Sequence, residues 1–457
     1  ADDVIKGDLP GTGNSYNPVR VNVIEDYPYG SASDEGRAML QIIHDIAPGS
    51  ELAFRTGFKG VADFAQGIKD LEAAGCDIIV DDITYITEPF FRDGIVAEAV
   101  DSVAGEGVAY FSAAGNYGTK SYQATFDPVP APTGISGDAH NFAGGSGNDI
   151  YQNITVPQGN YTIVLQWDDG SGYTQTSTDL AIYLTNDDGV TLFGFNRDNT
   201  NGMAVEVLPF TVTLESAQTN ILITRASGTG NVALKYIIFR GNPTINEYEN
   251  AAPSTLVGQA NATGAMAVGA VLYSNTPEYG VDPPTTASFS SRGGAPVDGV
   301  VRIKPDFCAP NGVNTSVDLG GVNIDGDPFP NFFGTSAAAP HAAAVAALLL
   351  EAKNKYYGTG LSPLEIKGLL QSTALDMGDP GFDFVSGYGF IRPDSALGSL
   401  ANPKPIVTAL VYDTTKVPGF EPLTVTVYGE YLTDSSKVFF NGQPLDSTTI
   451  VLGDSAL

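Results

Sequence analysis

One helix constrains this chain more than any other feature. Ala342 to Leu350 is apolar throughout, and a helix apolar on every face has to be buried on every side. Pro340 suits its start, because the first helical turn has no N–H partner to lose. Just ahead stands Gly334-Thr335-Ser336-Ala337-Ala338-Ala339-Pro340-His341, so Ser336 falls where a buried helix begins. Free backbone N–H groups and the positive end of the helix dipole favour developing negative charge there. Taken alone, Ser336 would read as an N-cap on a core helix.

The 457 residues suffice for two or three domains with full cores. Twenty-two basic residues stand against 52 acidic ones, a net charge of −30. That balance argues against nucleic-acid and anionic-membrane partners, which require basic patches. It suits a soluble, salt-tolerant or acid-exposed extracellular protein. The two cysteines, Cys76 and Cys308, are read as two buried thiols or one disulfide, and no metal-ligand spacing accompanies them. No uninterrupted apolar run approaches membrane-spanning length, and the start at Ala1-Asp2-Asp3 reads as a mature or trimmed one.

From about residue 35 to 116 helix and strand patterns alternate. Met39, Ile42, Ile43 and Ile46 repeat with helical period, and Pro48-Gly49 ends them. Leu52–Phe54, Ile78–Val80 and Val108–Phe111 read as strands, Val61–Ala74 and Ile95–Ala104 as helices. Such alternation implies a doubly wound parallel sheet with ligand sites at the strands' carboxyl ends. Asp81-Asp82 and Ala113-Ala114-Gly115-Asn116 fall there. Between about 119 and 245 the texture changes to alternating segments, such as Tyr161–Trp167 and Ala233–Ile238, separated by turn signals. That stretch is expected to be a β-sandwich or jelly roll inserted into the α/β domain. The α/β texture resumes near Ala265, and a later helix has Ser362 as N-cap and Pro363 at its first position. The division is therefore 1–118 and 251–400 for the α/β domain, 119–250 for the insertion, and 401–457 for a β tail. The tail resembles the start of an immunoglobulin-like (IPT/TIG-type) module and is short for one.

The string around Ser336 closely resembles the nucleophile motif of the subtilase superfamily of serine peptidases, G-T-S-x-A-x-P-H. Four further landmarks follow in that family's order. Ala113–Asn116 matches A-A-G-N, whose asparagine donates to the oxyanion. Ala287–Gly293 matches the S-F-S-S-x-G turn, Lys304–Gly312 matches K-P-D-x-x-A-P-G with Asn311 inserted, and Ser386–Gly389 resembles the closing G-x-G segment. The resemblance implies a subtilisin-like fold, a secreted or surface serine endopeptidase acting on proteins or peptides, and Ser336 as nucleophile with Asn116 as oxyanion donor.

Subtilases carry H-G-T-H-V-A-G before an A-P-G turn, and its first histidine is the general base. Counting back from Ala47-Pro48-Gly49 by the family's spacing reaches Glu35-Gly36 instead. The three histidines have other assignments: His341 follows the nucleophile, His140 lies in the inserted region, and His44 lies on the opposite face of the helix from Glu35. With about 100° per residue, Met39, Ile42 and Ile46 fall within about 40° of Glu35, so Glu35 extends the apolar stripe. A first-turn glutamate helped by the dipole, capped by Asp34 or Ser33, explains an acid there but not that alignment. A glutamate in this register resembles the sedolisin branch, the Ser-Glu-Asp peptidases. Sedolisins place an aspartate four residues later, where this chain has Met39, and use an aspartic acid where it has Asn116.

A carboxylate base works only when burial or a neighbouring acid strengthens it, which calls for a partner. Asp82 is the best placed, with a loop aspartate satisfying backbone N–H groups as the plainer reading. The aspartate of the subtilase triad follows a first strand in a D-[ST]-G turn, and no such strand is read ahead of Asp2 or Asp3. Calcium is common in the superfamily, and Asn323–Asp327 is oxygen-rich without EF-hand spacing, so a structural calcium remains an expectation only. A catalytically inactive subtilase-like scaffold that binds protein or glycan is the competing reading. A third is a chain inactive only for want of that first strand.

Overall fold

The computed structural model describes residues 2–186, 190–250, 252–400, 406–416 and 424–430, with short pieces up to Pro444. Strand β1 (Asn22–Glu25), helix α1 (Glu35–Ile46), β2 (Ala53–Arg55), α2 (Val61–Ala73), β3 (Ile78–Asp81), α3 (Ile95–Gly105) and β4 (Ala109–Ala113) follow in order. After the insertion come β5 (Ala265–Leu272), β6 (Phe307–Asn311), α4 (Thr335–Tyr357) and α5 (Pro363–Ser372). Strands β6, β5, β4 and β3 form a parallel sheet in that spatial order.

The two-residue period of β4 explains why helices cover both faces. Ala109, Phe111 and Ala113 turn to one side, where they meet Ala338, Ala339, Ala342 and Ala343 of α4. Tyr110 turns to the other with Ile79, against Phe64 and Ile68 of α2 and Val96 and Val100 of α3. By length and apolarity α4 is the one helix among the described residues that could cross a membrane. Its apolar surface is spent on the core instead, from Ala337 to Ala346. Helix α5 starts as the residues around Ser362 require, with Ser362 and Glu365 capping each other's backbone N–H in a capping box.

The insertion is a nine-stranded antiparallel sheet over residues 121–245. Its longest path runs Thr191–Phe195, Asp179–Thr185, Val205–Ser227, Gln152–Asp168, Ala233–Arg240 and Ser121–Thr125. Trp167, Tyr236, Ile163 and Ile223 share its core. Phe90 and Phe91, beyond β3, pack on its Val164, Val205 and Ile237. Gln166 joins the two parts by accepting from the Phe90 N–H and donating to the Glu88 carbonyl, each at 2.9 Å. Of the tail, the structure describes chiefly an antiparallel pair, Ile406–Tyr412 with Val425–Glu430. Most of the immunoglobulin-like expectation lies outside the described residues. Cys76 and Cys308 are free thiols, the first half-buried and the second buried.

No strand is described ahead of Asp2 or Asp3, but a strand read nowhere in the sequence, β1, lies between them and α1. Val19, Val21 and Val23 alternate with Arg20 and Asn22, a two-residue period that marks a strand, although Asn22 and Val23 are exposed. The strand pairs in parallel with β2 and ends in Glu25, bound to Arg55 and Lys59, and the next residue, Asp26, is exposed and accepts from the Tyr27 N–H at 2.8 Å. No described strand joins β2 to β3. Between them lies a cavity of about 990 Å³ lined by Phe54, Ile68, Leu71, Val80 and Leu350, with Glu35 and Asp82 also on its wall.

Asp306 holds the start of β6. Fully buried, it accepts from the Ala267 N–H at 2.7 Å, Lys304 Nζ at 2.9 Å, Lys367 Nζ at 2.5 Å and Gln371 Nε2 at 3.2 Å. Burial alone would raise its proton affinity, but the two lysines outweigh that and leave it below the usual carboxylate value. The lysine and aspartate of K-P-D are thus an ion pair tying β5, β6 and α5 together. Asp306→Ala leaves two buried or half-buried ammonium groups without their anion, and is expected to cost about 3–5 kcal/mol in urea unfolding at neutral pH. The depressed native value places that stabilisation above about pH 4, and it fades as pH falls further.

Candidate functional site

Helix α4 begins at Thr335, with Gly334 before it at φ +104°, a left-handed backbone that favours glycine. Ser336 is 7% exposed, in the first turn, where N–H groups have no intrahelical acceptor. The A-A-G-N segment leaves β4 beside it. The Oδ1 of Asn116 accepts from the Thr335 N–H at 2.9 Å and from Thr335 Oγ1 at 3.0 Å. With its oxygen anchored twice, the amide presents Nδ2 as a free donor. A Cβ added at Gly334 would stand 3.0 Å from that Nδ2 and 3.6 Å from the Ser336 nitrogen. Both donors therefore border the space that glycine leaves open.

The landmarks in sequence are braces for this loop. Ser291 donates its N–H to the Gly115 carbonyl at 2.9 Å and accepts from the Tyr117 N–H on Oγ at 3.2 Å. The inserted Asn311 accepts from the Gly334 N–H at 3.4 Å, tying the end of β6 to the turn before Ser336.

Asp82 follows β3 on the face shared by Ile78 and Val80, the side covered by α4. It faces Glu35 and Ser336 together. Burial raises its proton affinity well above the ordinary carboxylate value, the charge and hydrogen bond of Glu35 and the charge of Asp81 add to this, and the Ser336 hydroxyl opposes it. Two carboxyl groups this close hold a proton between them. Glu35 is the first residue of α1 and half-buried, its N–H donating to Ser33 Oγ at 3.1 Å. Asp34 is exposed and pairs with Arg37 at 2.6 Å, so it does not complete the site. Met39 packs with Ile42, Phe332 and Ala337.

None of the histidines enters. His44 Nε2 contacts Asn14 Nδ2 at 2.9 Å, His140 Nε2 contacts the Tyr122 hydroxyl at 2.8 Å, and His341 Nδ1 contacts the Ala337 carbonyl at 2.7 Å. Burial lowers all three, His140 and His341 to about 4, so they are neutral near pH 7. At the oxygen-rich loop, Asp325 accepts from Asn331 Nδ2 at 3.1 Å and Asp327 from Asn314 Nδ2 at 2.5 Å. Among the described residues no group of three or more metal-binding side chains converges. The side-chain oxygens of this loop are engaged in hydrogen bonds, and no step below runs through a metal.

Sequence reasoning passed over Thr335 and Asn311, which touch the site only by braces across the sheet. Thr335→Val removes the acceptor of the buried Gly115 N–H, 3.0 Å from Oγ1, and one anchor of Asn116. The expected loss is about 1–3 kcal/mol in denaturant unfolding.

Residues 193–389 match the Subtilase family profile. Over 118 residues, 24% of this chain and 16% of the relative, it is 35% identical to Fervidolysin of Fervidobacterium pennivorans. It is 29% identical over 195 residues to subtilisin-like protease SBT4.15 of Arabidopsis thaliana, covering 40% of this chain and 22% of the relative. With the CO(2)-response secreted protease of the same plant it shares 32% identity over 158 residues, 33% of this chain and 20% of the relative. The chain thus spans about a fifth of the length of these relatives. Among solved structures, the CspB protease of Clostridium perfringens superposes with a TM-score of 0.43 at 16% identity, over 78% of this chain and 75% of that one. The family match and the relatives support the subtilase superfamily for this chain.

Proposed function

We propose that this chain is a serine endopeptidase in which a pair of carboxyl groups replaces histidine as the base. The observation that carries the reading is the setting of Ser336. On one side lies Asp82, backed by Glu35, and on the other lie two donors around Gly334. The raised Asp82 holds the pair's proton, with Glu35 beside it as the second carboxyl. Ser336 Oγ attacks the scissile carbonyl carbon. Its proton passes to Asp82 as the proton of Asp82 moves to Glu35, so Glu35 is the base at the end of a two-step relay. The tetrahedral oxyanion is held by Asn116 Nδ2 and the Ser336 N–H. When the C–N bond breaks, the pair returns a proton through Asp82 to the leaving amine. Water then attacks the acyl-enzyme, gives its proton to the pair, and Ser336 recovers its own as the acid departs.

The division at about 118, 250 and 400, and an extracellular or cell-surface location on protein or peptide substrates, belong to the same proposal. The secreted protease among the relatives supports the location. The competing reading, an inactive scaffold that binds protein or glycan, draws on the histidine-free site and on the gap between β2 and β3. Intact donors around Ser336 favour catalysis.

Labelling by a fluorophosphonate probe from pH 3 to 9 tests this directly. Labelling is expected in the wild type, absent in Ser336→Ala, and slower by about 10²–10⁴ in Glu35→Gln and Asp82→Asn. Asn116→Ala is expected to lose about 10²–10³. The working state holds one proton on the pair. The rate should therefore fall at low pH, where a second proton binds, and at high pH, where the first leaves. Asn116 needs no proton to donate, so a rate that rises only below about pH 4 counts against this site. A wild type that never labels favours the scaffold.

A further inference from the structure

The relay leaves one acid without a task. Asp81 precedes Asp82, and the period of a strand turns it to the opposite face, beside Ile79. It is 6% exposed, and Oδ1 accepts from Gln259 Nε2 at 2.9 Å and the Ile83 N–H at 3.0 Å. Its ladder partner on β4 is Ser112, and Tyr110 lies two residues earlier on the same face. Oδ2 and the hydroxyls of Tyr110 and Ser112 are buried short of full hydrogen-bond geometry. From α2 and α3 this face receives Phe64, Ile68, Val96 and Val100. The titratable group facing Asp81 is thus Tyr110 across the ladder, with Asp82 next along the chain on the other face. Those facing Asp82 are Glu35 from α1 and Asp81, with the Ser336 hydroxyl from α4.

An anion buried on the far side of one strand, a single residue from Asp82 and on the wall of the same cavity, makes it harder to remove the pair's last proton. We propose that Asp81 is a positioning residue whose buried negative charge keeps the working proton on the Glu35–Asp82 pair. It touches neither Ser336 nor a substrate and acts through Asp82. Its functional consequence rests on the peptidase reading of that pair. Burial pushes Asp81 up to about 6, against the pull of Tyr110, Gln259, the Ile83 N–H and Ser112. The charge is therefore present above about pH 6 and absent below it.

The test is a carboxyl ¹³C NMR titration of protein labelled at aspartate, with the Asp82 signal assigned by its loss in Asp82→Asn. In Asp81→Asn the Asp82 midpoint is expected to fall by about one pH unit, and the high-pH limb of probe labelling to move down equally while the plateau rate stays within a few fold. Asp81→Ser, smaller and also neutral, gives the same reading should the amide disturb folding. A purely structural Asp81 would lower the plateau and leave both midpoints in place, and an unmoved Asp82 midpoint in either folded variant overturns the proposal. If the wild type fails to label, the peptidase reading falls, and the titration still decides whether Asp81 holds the proton.

Discussion

The close seating of α4 on the parallel sheet is the contact on which the rest of this structure depends. Four strands end at one edge, and α4 crosses behind them with alanine at the contact positions Ala338, Ala339, Ala342, Ala343 and Ala346. Small side chains let the helix axis approach the strands closely, and dense packing then leaves it little freedom to shift. The approach sets the start of α4 beside the segments that leave β3 and β4. Ser336, Asp82 and Asn116 meet for that reason, although 254 and 220 positions separate the serine from the other two.

The chemistry around Ser336 follows from what lies at those strand ends. A histidine base can be poised near neutrality by itself. Carboxyl groups reach a comparable strength when two of them are buried together, since each resists the ionisation of the other. Glu35 from the first turn of α1, half-buried, stands beside Asp82 at the end of β3 and helps raise the proton affinity of Asp82. The histidines serve elsewhere as neutral, hydrogen-bonded groups. A chain with a net charge of −30 supplies few cations to discharge such a pair, and the nearest arginine to Glu35 in sequence, Arg37, is engaged with Asp3 and Asp34.

Much of the architecture was legible because it is local. The apolar stripe of α1, the capping signal at Ser362-Pro363 and the small-residue run of α4 each state an element within a dozen residues. β1 also carries a local signal, the alternation of Val19, Val21 and Val23 with Arg20 and Asn22, which a reading of the helix and strand pattern from residue 35 onward does not take in. The insertion was legible as β texture, but its course was not. Val205–Ser227 pairs with Gln152–Asp168 along most of its length, and a long antiparallel pairing of distant segments leaves no mark in either one alone.

By itself the sequence determined the order of helices and strands, the place of Ser336 in the first turn of a buried helix, and the presence of Glu35 where a histidine would be expected. These rest on periodicity and capping, which short-range sterics and local hydrogen bonding enforce. Only the tertiary structure decided which carboxylate meets the serine. Asp81 and Asp82 are identical in chemistry and adjacent in the chain. Strand pleating sends one to the face covered by α2 and α3 and the other to the face covered by α4, and packing across the sheet gives Asp82 its two neighbours. The same contact turned Thr335 and Asn311 from ordinary polar residues into braces, because a hydrogen bond between distant segments exists only once the core has brought them together.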